Sequence, residues 1–252
     1  MRALRPPKLG SVTFLRRRAA DKGPAVDAGK GAAVAGWCAA CGSDVETWGP
    51  GPGGRPNAQC PHCLSLERHR FLGSLLRDFA PLLRTSNCVL EFAPQPQVKR
   101  VLAEVAPDLP VLGTDLMDAR FIHLTADGCH LPLRSNSVDV IISFHVLEHI
   151  PDDAAAMREI NRVLAPGGLF IMQVPYRPGV PTDEDPSAGP EERIRRFGQD
   201  DHVRFYGSDL DDRLRNAGLD VALITAAERF SPAELERLNV PATTPIWICR
   251  PT

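Results

Sequence analysis

The chain has 252 residues, room for one domain of ordinary enzyme size plus a small appended module, and 43% of them are hydrophobic, which supplies a sizeable core. A formal charge of −2 gives no global attraction to nucleic acid or to an anionic membrane. No apolar run approaches membrane-spanning length, and the basic start (Arg2, Arg5, Lys8, Arg16, Arg17, Arg18) lacks the apolar stretch of a secretory signal, so a soluble, cytoplasmic protein is expected.

Residues 1–35 are rich in Arg, Lys, Gly, Ala and Pro without periodicity and read as a flexible basic arm. Cys38 and Cys41 follow, then Cys60 and Cys63, two C-x-x-C pairs joined by a glycine-rich connection that lets two tight turns face each other. Four thiolates meet the tetrahedral, soft-ligand demand of zinc and leave no position for water, so the expected role is structural. Cys88, Cys129 and Cys249 lie singly, which argues against a disulfide framework. The ribbon and a connecting helix are assigned to residues 36–84. That helix, over Ser65–Leu83, carries an apolar stripe of Leu72, Leu75, Leu76, Phe79 and Leu83. The charges at Glu67, Arg68, His69 and Arg70 read as a solvated face, with a place on an active cleft as the alternative.

The larger domain, residues 85–252, alternates strands and helices. Cys88–Ala93 reads as a buried strand, Gln97–Val105 as a helix, Pro110–Thr114 as a second strand and Phe121–Thr125 as a third. A strand over Val138–Phe144 is followed by a helix with Pro151 at its first position and Pro166, Gly167 and Gly168 at its end. A strand over Leu169–Val174 comes next. Ser208–Ala217 reads as a helix capped by Ser208, Pro232–Leu238 as a short helix, and Val221–Thr225 and Ile246–Cys249 as late strands. The order points to an α/β, doubly wound, Rossmann-like, mostly parallel sheet with a small N-terminal zinc ribbon. In such sheets ligands sit outside the carboxyl ends of the strands.

Over Asn87–Arg250 the residues resemble a class I S-adenosylmethionine-dependent methyltransferase, most specifically in DVIISFHVLEHIPDD and REINRVLAPGGLFIMQVP. CPHCLSLERHR, LEFAP, the EDP at Glu184–Pro186 and FGQDDHVRFYG resemble a bacterial subgroup with an N-terminal four-cysteine zinc ribbon. The family's glycine-rich loop after the first strand is replaced here by Glu91, Phe92, Ala93, Pro94 and Gln95. The resemblance implies S-adenosyl-L-methionine as cofactor. It assigns the ribose hydroxyls to Asp115 beside Leu116, the adenine amino group to Asp127 beside Gly128, the loop after the first strand to Glu91–Pro94, and the methionine half to Phe144 and His145.

Methyl transfer to a hydroxyl or amine needs a proton acceptor. His149 is the first candidate, by analogy with sugar O-methyltransferases of similar sequence, with His145 second and His202 third. The irregular stretch 177–206 lies past a strand's carboxyl end and reads as a lid insertion, with Tyr176, Asp201, His202, Arg204 and Tyr206 as candidate contacts to the acceptor. The expectation is a methyltransferase acting on a hydroxyl, carboxylate or amine of a polar small molecule, a saccharide or secondary metabolite, with no membrane and no nucleic acid as partner. The competing readings are an RNA or protein methyltransferase that uses the ribbon for recognition, and a non-catalytic cofactor-binding or scaffold protein.

Overall fold

The computed structural model describes residues 36–117 and 120–252. The basic arm expected over residues 1–35 lies outside the described residues. Strands β1 (Gly36–Cys38) and β2 (Ser43–Val45) form an antiparallel hairpin. Its turn closes when the Gly42 N–H donates to the Cys38 carbonyl at 2.8 Å, with Gly42 at φ 71°. A second turn is closed by the Leu64 N–H on the Cys60 carbonyl at 2.9 Å.

The single helix expected over Ser65–Leu83 is two helices, α1 (Glu67–Asp78) and α2 (Ala80–Leu83), broken at Phe79. Pro81 has no N–H to continue the ladder and its ring collides with the carbonyl one turn back. The apolar face of α1 (Phe71, Leu72, Leu75, Leu76) shares one core with Val98, Val101 and Leu102 of α3 (Pro96–Val105). A Cβ on Gly73 would come within 2.8 Å of the Ala39 carbonyl oxygen, so only glycine lets α1 lie this close to the first cysteine turn.

The solvated face expected at the start of α1 is corrected for two of its four charges. His69 and Arg70 are 6% and 0% exposed. Arg70 donates to the carbonyls of Ala58 and Ser65 in the ribbon and to those of Leu238 and Asn239 in the larger domain, and its guanidinium stacks 4.3 Å from the Trp48 ring centroid. One planar fork thereby joins the two parts of the chain.

The main sheet is built from β3 (Val89–Phe92), β4 (Val111–Asp115), β5 (Leu124–Thr125), β6 (Val138–Phe144) and β7 (Leu164–Gln173), all parallel, with β10 (Leu219–Thr225) and β11 (Pro245–Pro251) antiparallel at one edge. The strand order is β10-β11-β7-β6-β3-β4-β5. Helices α1, α3, α7 (Ala226–Arg229) and α8 (Pro232–Leu238) cover one face, and α4 (Asp153–Val163) and α6 (Leu210–Asn216) the other. This is the doubly wound, mostly parallel α/β sheet expected. From β3 the chain winds first toward β4 and β5 and then, through β6, the other way. The carboxyl ends of β3 and β6 therefore flank a topological switch point.

Several element ends differ from expectation. Asp152, not Ser or Pro, caps α4 by accepting the Ala155 N–H at 2.8 Å, which leaves Pro151 outside the helix. The helix stops at Val163, and Pro166–Gly168 fall within β7. Ser208 does not cap α6: its hydroxyl donates to the Val180 carbonyl at 3.0 Å, and Asp209 takes the cap position. The third strand is reduced to Leu124–Thr125, because Phe121 turns the chain at φ 74°.

Between β7 and α6 the insertion is ordered by β8 (Asp183–Glu184) pairing antiparallel with β9 (Arg204–Phe205), with α5 (Pro190–Phe197) between them. Arg204, 1% exposed, donates to the carbonyls of Leu147, Ile150 and Pro151 and to the Glu184 carboxylate at 3.1 Å. Arg213 pairs with Glu184 at 2.7 Å and Asp153 at 3.2 Å, and Asp153 also accepts the Tyr206 hydroxyl at 2.9 Å. This network fixes the base of the insertion against the turn after β6. No helix among the described residues is long and apolar enough to cross a membrane.

Candidate active site and metal centre

A cleft of about 480 Å³ opens at the switch point. Phe92 and Ala93 follow β3 into it, Asp115 and Leu116 come from the end of β4, Asp127 and Gly128 from the turn after β5, and His145, His149 and Ile150 from the turn after β6. Asp201 reaches the same cleft from the insertion.

Each wall has a local cause. Ala93 sits at φ 46°, a left-handed conformation that glycine adopts without strain and alanine does not. The loop without glycine thus makes the same kind of turn, at a cost of about 1–2 kcal/mol. His145, at the end of the neighbouring strand, is also left-handed, at φ 58°. Two strained residues side by side at adjacent strand ends are a mark of a functional rim. Gly128 has Ile150 and Phe92 within 3.1 and 3.3 Å of where a Cβ would stand, so any side chain there would crowd the cleft floor.

Among the described residues Asp115 accepts only a long bond, 3.3 Å, from the Met117 N–H. Asp127 accepts the Cys129 N–H at 2.8 Å, and that bond holds its carboxyl below the usual range. Leu116 and Met117 form an apolar, largely exposed rim beside Asp115.

His149 ends a short 3-10 turn, Leu147–His149, His145 lies just before that turn, and His202 comes from the insertion. His145 Nδ1 is 3.0 Å from Oε1 of Glu148, a carboxylate with no exposure. His149 Nδ1 is 3.1 Å from Asp201, which is 62% exposed. His202 is buried behind His149, ring edge to face at 4.6 Å, with Nδ1 against the Phe197 carbonyl. Burial pushes the His202 imidazole below its ordinary value.

Some expected site residues lie elsewhere. Glu91 and Pro94 line a separate cavity of about 220 Å³, together with Lys99, Phe121 and His123. The Glu91 carboxylate accepts the Gln95 N–H at 2.8 Å. Phe144, 2% exposed, belongs to the core. Arg204 and Tyr206 are sealed in the network described above, and Tyr176 packs edge-on against Trp247, outside the cleft. None of these six lines the cleft at the switch point. Arg204 instead positions the turn that carries the histidines. Glu148 was not singled out from the sequence. Its signal is the spacing in His145-Val-Leu-Glu148-His149, which puts the carboxylate one turn from His145.

In the ribbon the four sulfurs converge, all within 4.8 Å of one another, with Cys38–Cys63 at 3.7 Å and Cys41–Cys60 at 3.9 Å. Four ligands at about 2.3 Å in a tetrahedron place sulfurs about 3.8 Å apart. The spacing fits zinc.

The family model for a methyltransferase domain matches residues 87–172. That match spans β3 to β7 of the sheet, about a third of the chain. Relatives match over similar stretches. A Mycolicibacterium smegmatis protein named "Probable S-adenosylmethionine-dependent methyltransferase" is 38% identical over 27% of this chain and 30% of its own length. The 27-O-demethylrifamycin SV methyltransferase of Amycolatopsis mediterranei is 32% identical over 45% of each chain. The chain thus spans less than half the length of either relative. A solved S-adenosylmethionine-dependent methyltransferase from Mesorhizobium loti is 18% identical, covering 70% of this chain and 95% of its own, with a TM-score of 0.47, a likeness too loose to bear on function. The cleft lies at the carboxyl edge of the methyltransferase domain and is completed by Asp201 from outside it.

Proposed function

We propose that the chain is an S-adenosylmethionine-dependent methyltransferase acting on a hydroxyl, carboxylate or amine of a polar small molecule, with a structural zinc in the cysteine ribbon. The reading rests on one observation: Asp115, Asp127 and the histidine-bearing turn after β6 line a single cleft at the switch point. When bound, the sulfonium cofactor supplies an electrophilic methyl group. Asp115 would accept both ribose hydroxyls, since one carboxylate has acceptor sites for two donors. Asp127 and the backbone beside Gly128 would hold the adenine, with Leu116 against its face. In-line displacement gains most from alignment in a closed site, which the Arg204-braced turn and the insertion provide.

For the proton acceptor the geometry favours His145 over His149. A carboxylate with no exposure orients its Nδ1–H and leaves Nε2 as the base, whereas the carboxylate beside His149 is mostly solvated. The ribbon is held by thiolates alone, so the zinc would brace the fold and take no part in the chemistry.

Calorimetry of the zinc-loaded chain with S-adenosylmethionine tests the cofactor half. Asp115→Ala should weaken binding roughly 10- to 100-fold, the loss of hydrogen bonds to a charged group. Turnover is read as S-adenosylhomocysteine released with pools of polar metabolites, and His145→Gln should lose it while keeping cofactor affinity. Tight binding with no turnover on any acceptor would favour a non-catalytic role. RNA binding that weakens steeply with salt would move the substrate to nucleic acid.

A further inference from the structure

Behind the cleft wall, Glu148, His149 and His202 each offer one ligand atom, and the three atoms lie within 4.8 Å of one another. The tautomers follow from the outer partners. His202 Nδ1 faces the Phe197 carbonyl, which can only accept, so Nδ1 carries the hydrogen and Nε2 carries a lone pair. That Nε2 is buried and has no hydrogen-bond partner among the described residues. His149 Nδ1 faces the Asp201 carboxylate, which likewise leaves a lone pair on Nε2. Glu148 spends Oε1 on His145, and its Oε2 is buried with no hydrogen-bond partner among the described residues.

Each of the three clustered residues therefore has a lone pair to offer, and two of those acceptors, His202 Nε2 and Glu148 Oε2, meet no donor among the described residues. Glu148 is 0% and His202 3% exposed, so bulk water does not satisfy them. Unpaired buried acceptors facing one another are costly, and a cation at their centre removes that cost. Imidazoles whose second nitrogen donates to a carboxylate or a carbonyl are the usual form of histidine in metal sites.

We propose that Glu148, His149 and His202 form a second metal site, distinct from the cysteine ribbon, for a divalent first-row transition ion. Two imidazoles and one carboxylate suit zinc, iron(II), cobalt(II) or manganese(II) rather than calcium or magnesium, which prefer all-oxygen sets. One carboxylate and two neutral rings leave the ion open positions for water or an oxygen ligand. His149 is shared with the cleft, so the ion would stand beside the methyl-transfer site. The site does not depend on the methyltransferase reading, because it is defined without the cofactor. Arg68, whose buried Nε is also unpaired, lies near enough for its charge to interact with Glu148 and is the rival claimant for the free oxygen.

The test is cobalt(II) uptake by the full chain with zinc already filling the four cysteines. One cobalt per chain should bind with weak visible bands and without thiolate charge-transfer absorption. His202→Ala and Glu148→Gln should each weaken that uptake at least tenfold, as should His149→Ala at a partly exposed side chain, which decides the matter if the buried variants do not fold. Arg68→Gln should tighten it. No uptake beyond the cysteines, or uptake unchanged in His149→Ala and in the folded variants, overturns the assignment and leaves Arg68 or a trapped water as the partner of Glu148.

Discussion

Glu91 offers a quantitative check on the burial physics of this fold. It is 2% exposed at the heart of β3, and desolvation pushes its carboxyl up to about 8, with the Gln95 N–H and the charge of Lys99 only partly opposing. The unfolded chain holds the same group at about 4.3. Between those values the folded state binds the proton more tightly, so this group's contribution is fully present below about pH 4.3 and is lost as pH rises toward 8. The loss runs at about 1.4 kcal/mol per pH unit and amounts to roughly 5 kcal/mol in all. Glu91→Gln keeps an oxygen for the Gln95 N–H and removes the titration. Urea unfolding of both proteins, at fixed zinc, should show the variant gaining on the wild type by roughly 3 kcal/mol between about pH 5.5 and pH 8. Parallel stability curves for the two proteins would refute the account, because they would mean that Glu91 ionises in place at no cost.

His69 should show the opposite slope. Its imidazole is pushed down to about 3 by burial, so its contribution is present above the unfolded value near 6.5 and is lost as pH falls toward 3. His69→Gln should flatten the acid limb of the unfolding curve. In the window where both titrate, the two slopes oppose, and only the variants separate them. Arg204→Met leaves three buried carbonyls without their donor and Glu184 and Asp153 with Arg213 as their one remaining arginine, and should cost about 3–5 kcal/mol in chemical denaturation, with turnover falling as the histidine turn shifts. Removal of the ribbon metal by a strong chelator, or Cys60→Ser, should expose residues 36–66 to limited proteolysis and lower the melting temperature of the whole chain.

The parts of this structure that were legible in the sequence are those that local chemistry dictates. The paired cysteines announce their turns, and continuous β-branched runs such as Val138–Phe144 can only be inner strands of a parallel sheet. Asp115 and Asp127 follow from topology, since the residue ending a parallel strand faces the crevice whatever its neighbours. What stayed hidden depends on partners far along the chain. Nothing local distinguishes Arg70 from a surface arginine, because two of its four acceptors are carbonyls 168 and 169 residues away. For the same reason the polarity of Arg204 and Tyr206 is visible in the sequence, and the buried carboxylates that absorb it are not. Glu148 carries no local mark of its burial, though its isolation from solvent makes it the pivot of both the proposed base and the proposed second metal site.

The ribbon's second cysteine turn is stitched to the loop that forms the cleft: Gln97 donates to the Cys63 carbonyl at 2.9 Å, and His69 bonds Gln95, two residues past Ala93. An attempt to trim the protein down to its larger domain would therefore cut away the scaffold behind the loop after β3. The two halves are not cargo and carrier but a single mechanical unit, in which oxidation of four thiols would be felt at the mouth of the switch-point cleft.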